Sequence, residues 1–140
     1  MVNTKTINRL KDISLAIYDK NHSVRTFHVS FILLKNKIIA ISTNDARTSP
    51  LNLKNPRVGR LGEIIDDKGS CSEMRALLKV RNKTNIDFRK LTIVNTRVVD
   101  IKGNLSFSIS KPCSSCLSLI RFLDLKEVFY TDKNGLIQQL

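Results

Sequence analysis

Helical and extended hydrophobic patterns alternate along this chain, and their order limits the possible folds more than any other property of the sequence. Apolar residues at three- and four-residue intervals predict a helix over residues 4–20. Runs of β-branched and aromatic residues at 26–35 and 38–43 predict a hairpin. A helix, a strand, a helix and two strands are predicted after it, at 71–82, 91–99, 112–123, 126–131 and 136–140. This alternation predicts an α/β fold with helices on the faces of a sheet.

The last two predicted strands are separated by Asn134-Gly135, a dipeptide typical of tight hairpin turns. We therefore expect these two strands to pair antiparallel. Residues 100–111 are polar around Gly103 and are expected to form a connection. The predicted sheet accordingly has five strands.

A length of 140 residues suits a single domain covering 1–140. Apolar residues make up 41% and charged residues 26%, values that disfavour a disordered chain, a collagen-like fibre or a coiled coil. The first 14 residues contain no apolar signal-peptide core, and no apolar run reaches the roughly 18 residues of a membrane span. We expect a cytoplasmic protein with no membrane partner.

The chain is strongly basic, with 24 Lys and Arg against 12 Asp and Glu and a net charge of +12. Such a surplus predicts an anionic partner. A Lys-rich composition inherited from an AT-rich genome, or a contribution to solubility, would explain part of the same surplus.

Three cysteines cannot all pair in intramolecular disulfides, and this number suits a reducing compartment. Cys113 and Cys116 lie on one turn at a predicted helix start, where both thiolates can reach one ion, and Cys71 begins the other helix. A helix N-terminus is expected to lower thiol pKa values. A closed structural zinc site would need a fourth ligand, and neither His22, in a turn, nor His28, in a strand, is well placed to supply one.

Glu73 follows Cys71 by two positions and Pro112 precedes Cys113, which gives C-x-E … P-C-x-x-C. This pattern resembles the signature of the zinc-dependent cytidine deaminase superfamily. Cysteine in the first ligand position is similar to the small tetrameric cytidine deaminases. The resemblance spans residues 26–140, and it implies a three-layer α/β/α fold with a five-stranded mixed sheet.

The resemblance implies that Cys71, Cys113 and Cys116 bind Zn²⁺ and that Glu73 is the catalytic proton shuttle. Three protein ligands leave one coordination position for water, whose pKa zinc lowers to about 7. The implied reaction is hydrolytic deamination of cytosine to uracil. Ser70-x-x-Glu73 is also the pattern of a helix capping box, in which Glu73 would only accept a backbone hydrogen bond.

The tight turn at Asn134-Gly135 leaves no room for the helix that tRNA adenosine and APOBEC-type deaminases insert there, so the chain resembles the cytidine deaminase branch. Asn44 resembles the asparagine that holds the sugar or base in many members. Nucleoside deaminases typically continue N-x-E-N, whereas this chain reads Asn44-Asp45-Ala46-Arg47 and lacks the ribose-binding glutamate.

Residues 44–70 are predicted to form a long loop near the site. Its arginines suit a phosphate group, and we expect Arg47, with Arg57 or Arg60, to contact one. A solvated surface or a subunit contact is the alternative for this loop. Further candidate substrate-binding residues are Ser110, Pro112 and Tyr130.

The sequence therefore predicts a zinc-dependent deaminase acting on a cytosine nucleotide or nucleoside, with a phosphate-bearing substrate favoured. One alternative is an editing or mutator enzyme that deaminates cytosine in single-stranded DNA or RNA, although the loop lacks aromatic residues for base stacking. Another is a catalytically idle deaminase-fold protein that binds nucleic acid and holds structural zinc. Because members of this branch assemble as dimers or tetramers, we expect a homo-oligomer.

Overall fold

The computed structural model describes residues 2–19, 26–44, 71–81 and 86–140. Within these ranges the chain forms three α-helices, one short 3₁₀ helix and six strands. In chain order these elements are α1 (Thr4–Ala16), β1 (Phe27–Leu34), β2 (Lys37–Thr43), α2 (Ser72–Arg81), the 3₁₀ helix (Phe88–Lys90), β3 (Leu91–Ile101), β4 (Asn104–Phe107), α3 (Ser114–Leu123), β5 (Glu127–Thr131) and β6 (Ile137–Gln139).

The strands form one mixed sheet in the order β2-β1-β3-β5-β6, with β4 paired to β3. All pairs are antiparallel except β3 and β5, which run parallel and are connected through β4 and α3. The predicted antiparallel pairing of the last two strands is confirmed. Its turn is built around Asp132, whose carboxylate accepts the backbone N–H groups of Asn134 and Leu136, and Gly135 takes a φ of +80°.

The prediction of a five-stranded sheet is wrong, because residues 100–111 contain the strand β4. Lys102 and Gly103 both have positive φ, at 52° and 87°, and form a two-residue hairpin turn. The Asp100 carboxylate accepts the Gly103 N–H at 2.8 Å. Leu105 and Phe107 alternate with Asn104 and Ser106 in β4, a short strand pattern that the sequence interpretation missed. Leu105 is 40% exposed, and Phe107 packs against an apolar core.

Alternating side chains of the sheet pack against helices on opposite faces. On one face, α1 contributes Leu10 to a core with residues of β1, β3 and β5. On the other face, α2 and α3 pack against Ile32 of β1 and Ile93 of β3. The first core contains Leu10, Phe27, Val29, Phe31, Leu33, Val94, Val98 and Phe129, and the second contains Ile32, Ala40, Ala76, Leu77, Val80, Leu91, Ile93, Ile120 and Val128. The described part of the chain thus has helices on both faces of its sheet.

No helix among the described residues is both long enough and apolar enough to cross a membrane.

Candidate metal centre

The three cysteines converge where α2 and α3 begin. Cys71 immediately precedes α2, Cys113 is the N-cap residue of α3, and Cys116 lies in the first turn of α3. Two serines hold these helix starts against the sheet. Ser72 shares a 2.8 Å hydrogen bond with Ser30 of β1, and Ser110, just before α3, donates to the Asn95 carbonyl of β3 at 2.8 Å.

The sulfur atoms surround a single point. All three Sγ atoms lie within 4.8 Å of one another, and those of Cys71 and Cys113 are 3.9 Å apart. None of the cysteines forms a disulfide, which would need about 2.05 Å. Tetrahedral ligation with metal–sulfur bonds of about 2.3 Å places two sulfurs about 3.8 Å apart, close to the observed separation. The cluster could therefore hold a metal ion, as the cysteine spacing predicted.

The surroundings of the sulfurs favour protonated thiols when no cation is bound. Hydrogen bonding with Cys113, together with burial, raises the pKa of Cys71 to about 11. Hydrogen bonds with Cys113 and Cys71, followed by burial, raise the pKa of Cys116 well above its ordinary value. The expected lowering of thiol pKa values by the helix N-termini is thus outweighed in the metal-free cluster. A bound metal ion must displace these protons.

Glu73, in the first turn of α2, is beside the cluster with a side chain only 5% exposed. Burial raises the pKa of its carboxyl group, and a hydrogen bond with Cys116 partly offsets that rise. The Ser72 hydroxyl is 3.3 Å from Oε1 of Glu73. Ser70, the other member of the proposed capping box, lies outside the described residues.

A buried polar chain extends from Glu73 into the sheet. Ser72 Oγ is 2.8 Å from Ser30 Oγ, which is 2.7 Å from the Asn95 side-chain amide. The Ser30 hydroxyl donates to Oδ1 of Asn95, and Nδ2 of Asn95 is buried with no hydrogen-bond partner among the described residues. The polar chain therefore links Glu73, beside the cysteines, to β1 and β3.

Asn44 follows β2 at the same end of the sheet as the cysteines. Its Oδ1 accepts the His28 N–H at 3.0 Å, and its Nδ2 donates to the Thr26 carbonyl at 3.0 Å. The Asn44 amide therefore ties the end of β2 to the beginning of β1. Its predicted contact with substrate stays a prediction.

Ser110 and Pro112 lie on the buried approach to α3. The Ser110 hydroxyl contacts Thr131 Oγ1 at 2.8 Å and accepts the Thr131 N–H at 2.8 Å, so it joins β3 to β5. Tyr130 is half-buried in β5, in register with Asn95 of β3. The predicted contacts of Ser110, Pro112 and Tyr130 with substrate stay predictions.

Arg47, Arg57 and Arg60 lie outside the described residues. The sequence interpretation missed Ser30, Ser72 and Asn95, as well as Arg97, which also lies on β3. The available signal was the run LTIVNTRVV, in which Asn95 and Arg97 interrupt a strand at alternate positions. Polar residues two apart in a buried strand lie on one face and indicate a common neighbour.

The chain matches no protein-family model, and no curated protein shows significant sequence similarity to it.

Proposed function

We propose that this chain is a zinc-dependent deaminase of the cytidine deaminase type, which converts a cytosine base to uracil and ammonia. The observation that carries the proposal is the convergence of Cys71, Cys113 and Cys116 beside the buried carboxyl group of Glu73. These are four of the five residues that match C-x-E … P-C-x-x-C, and residues remote in sequence must meet in space for that motif to act.

The donor set supports zinc as the ion. Thiolates are soft ligands that suit zinc, whereas calcium and magnesium prefer oxygen. Among the described residues, the only group of potential ligands that could hold a metal is these three cysteines. Three protein ligands are typical of catalytic zinc sites, and structural sites have four. Zinc bound here would lower the pKa of a water molecule to about 7.

Glu73 is the residue to which we assign the proton transfers. In the overall reaction, a water oxygen forms a bond to the amidine carbon of cytosine, the bond to the exocyclic nitrogen breaks, and ammonia leaves. Glu73 accepts a proton from the water and passes protons to the ring nitrogen and the departing amine. The Ser72 hydroxyl keeps the carboxylate oriented, with Ser30 and Asn95 behind it.

The topology supports the cytidine deaminase-like fold. The order β2-β1-β3-β5-β6 with an antiparallel last pair agrees with the branch that the sequence resembles. The additional strand β4 pairs with β3 from Val98 to Ile101, beyond Asn95, and does not enter the polar chain.

A phosphate-bearing cytosine nucleotide is the substrate class that the net charge of +12 favours. A cytoplasmic homo-oligomer is the form in which we propose it acts.

The first experiment compares the zinc-loaded protein with its Glu73→Gln variant, which keeps the size of the side chain. Each is incubated with cytidine, deoxycytidylate, deoxycytidine triphosphate and a cytosine-containing single-stranded oligonucleotide, and mass spectrometry detects uracil. We expect turnover of free nucleotides that falls at least about 10²-fold in the variant, with zinc content unchanged.

Two results would contradict this assignment. Undiminished turnover by Glu73→Gln would remove Glu73 from catalysis. Turnover of no substrate would favour the idle, nucleic-acid-binding alternative, which salt-dependent oligonucleotide binding would then identify. Turnover of the oligonucleotide alone would select the editing enzyme. This is the second candidate function, and the net charge of +12 favours it.

A further inference from the structure

A cationic residue lies on the sheet face that carries the three cysteines, two residues along β3 from Asn95. Arg97 of β3 is in register with His28 of β1, just as Asn95 is with Ser30. Thr96 faces the opposite side, since its hydroxyl contacts Ser14 of α1 at 2.8 Å. Side chains alternate along a strand, so Arg97 shares the face of Asn95 and lies about 7 Å from it.

Arg97 has no anionic partner in the described part of the chain. Its Nε is buried and makes no hydrogen bond there, and no described carboxylate pairs with the guanidinium. Arg89, by contrast, is on the surface and pairs with Asp87 at 3.1 Å. A buried Nε–H group without an acceptor is unfavourable, because it loses hydration and gains no hydrogen bond in return. The position of Arg97 therefore suits an anion that arrives from outside the described residues.

The cluster itself makes such a cation useful. A divalent ion held by three thiolates has a net negative charge, and ionised Glu73 adds to it. A phosphate group approaching this site would be repelled unless a cation stood beside it. The Arg97 guanidinium supplies that charge, and its planar N–H groups match two phosphate oxygens.

We propose that Arg97 binds the phosphate group of the substrate and so selects cytosine nucleotides over nucleosides. This inference rests on the proposed deaminase function and deepens it, because it places the phosphate contact on β3. The proposal is carried by the register with His28, by the face shared with Asn95 and by an Nε that has no partner among the described residues. The proposed ligand is the phosphate monoester of a free nucleotide. The test distinguishes it from the phosphate diester of a single-stranded nucleic acid.

The test measures binding without turnover, by calorimetry on the zinc-loaded Glu73→Gln protein. Deoxycytidylate, deoxycytidine and a cytosine-containing single-stranded oligonucleotide are titrated into it and into versions that also carry Arg97→Gln or Arg97→Lys. Arg89→Gln is the matched control, since it removes a surface arginine that is 72% exposed.

We expect Arg97→Gln to weaken deoxycytidylate binding about tenfold to a hundredfold, the range for a hydrogen bond to a charged group. Deoxycytidine binding and zinc content should stay unchanged. Arg97→Lys should retain part of the deoxycytidylate affinity, which also shows that the site is folded, and Arg89→Gln should retain all of it. In the turnover assay, Arg97→Gln should raise KM for deoxycytidylate while leaving KM for deoxycytidine unchanged.

Equal affinity of Arg97→Gln and its parent for deoxycytidylate would overturn the proposal. An equal loss of affinity for deoxycytidine, or a loss of affinity confined to the oligonucleotide, would also overturn it. A loss of zinc would overturn it as well, because it would show that Arg97 only balances the charge of the cluster. Failure of the deaminase function gives a different result. If deoxycytidylate binding depends on Arg97 but the protein that retains Glu73 turns over no substrate, the proposed reaction is refuted and the phosphate site is retained. Turnover that does not depend on Arg97 would support the reaction and refute the phosphate site.

Discussion

The sheet face under α2 and α3 has two ends of opposite character. At one end, Ile32 and Ile93 are fully buried against α2 and α3. Two residues along the same strands, Ser30 and Asn95 are equally buried but hydrogen-bonded to each other, and Arg97 follows. The apolar packing stops where the two helices begin, and the polar end meets the cysteines there. A single pair of strands therefore serves as core at one end and as site at the other.

The opposite face shows that the change from apolar to polar side chains is not simply a property of this end of the strands. There β3 places Val94 and Val98 in one apolar core on either side of Thr96, with α1 above. The α1 face becomes charged along β3 only at Asp100, which is exposed near the end of the strand, whereas the face that carries the cysteines is already polar at buried Asn95 and cationic at Arg97. The early change to buried polar residues thus distinguishes the face of the candidate site.

The largest effect is expected from removing a ligand at the polar end. Cys113 is exposed, so Cys113→Ser loses little packing but removes one thiolate. Zinc affinity should fall by more than the roughly hundredfold typical of losing an outer partner of a metal ligand. The melting temperature in the presence of zinc should fall as well, because binding and folding are linked. Zinc content by mass spectrometry and thermal unfolding measure both; a variant that retains full zinc would contradict the cluster.

The apolar end should respond in the opposite way. Ile93→Ala removes a fully buried side chain from the core beneath α2 and α3, and it should lower the free energy of unfolding by about 2–5 kcal/mol. Zinc content per folded molecule should stay at the parent level, since Ile93 lies away from the sulfurs. Urea titration and metal analysis of the folded fraction check this. Loss of zinc from the folded variant would show that the two ends are not separable.

Lowering the pH should empty the polar end while the apolar end stays intact. The pKa of Cys71 is raised to about 11 and that of Cys116 is also raised, so both thiols are protonated near neutrality without metal. Zinc binding then releases at least two protons, and its affinity should fall about a hundredfold for each pH unit of acidification. Competition with a chelator at pH 6, 7 and 8 measures the slope. A pH-independent affinity would contradict the thiol assignments.

Two serines facing each other provide the most sensitive comparison. Ser30 and Ser42 are paired across β1 and β2 and are both buried, but only Ser30 joins the polar chain, while the Ser42 hydroxyl has no partner in the described part of the chain. Ser30→Ala should destabilise the protein by about 1–3 kcal/mol, since it leaves buried partners unsatisfied. Turnover should fall with it while zinc is retained.

Ser42→Ala is the control for this substitution. Because it removes a hydroxyl that makes no hydrogen bond with any described residue, it should leave the free energy of unfolding unchanged or raise it slightly. Urea unfolding and kcat for both variants test the pair. Equal destabilisation by the two would show that the chain through Ser30 contributes nothing.

Local patterns were sufficient to predict most of the elements and the antiparallel β5–β6 pair. Hydrophobic periodicity and the Asn134-Gly135 turn act over a few residues, so they can be recognised in the sequence without knowledge of distant contacts. The spacing of Cys113 and Cys116 on one helical turn predicted that both reach one ion, and the resemblance of C-x-E … P-C-x-x-C to the deaminase signature implied that Cys71 joins them. The strand β4 was missed although Leu105 and Phe107 alternate with polar residues, because it is only four residues long and mostly exposed.

The tertiary structure alone decided which polar residues of β1 and β3 share the face of the candidate site. Ser30, Asn95 and Arg97 depend on the register between these strands, and a slip by one residue would send each side chain to the other face. It also decided that the Asn44 amide binds the backbone of β1. The sequence by itself determined the elements and the metal-binding residue types, because those follow from local chemistry. The placement of the remaining polar groups follows from strand pairing between distant segments, which no local pattern specifies.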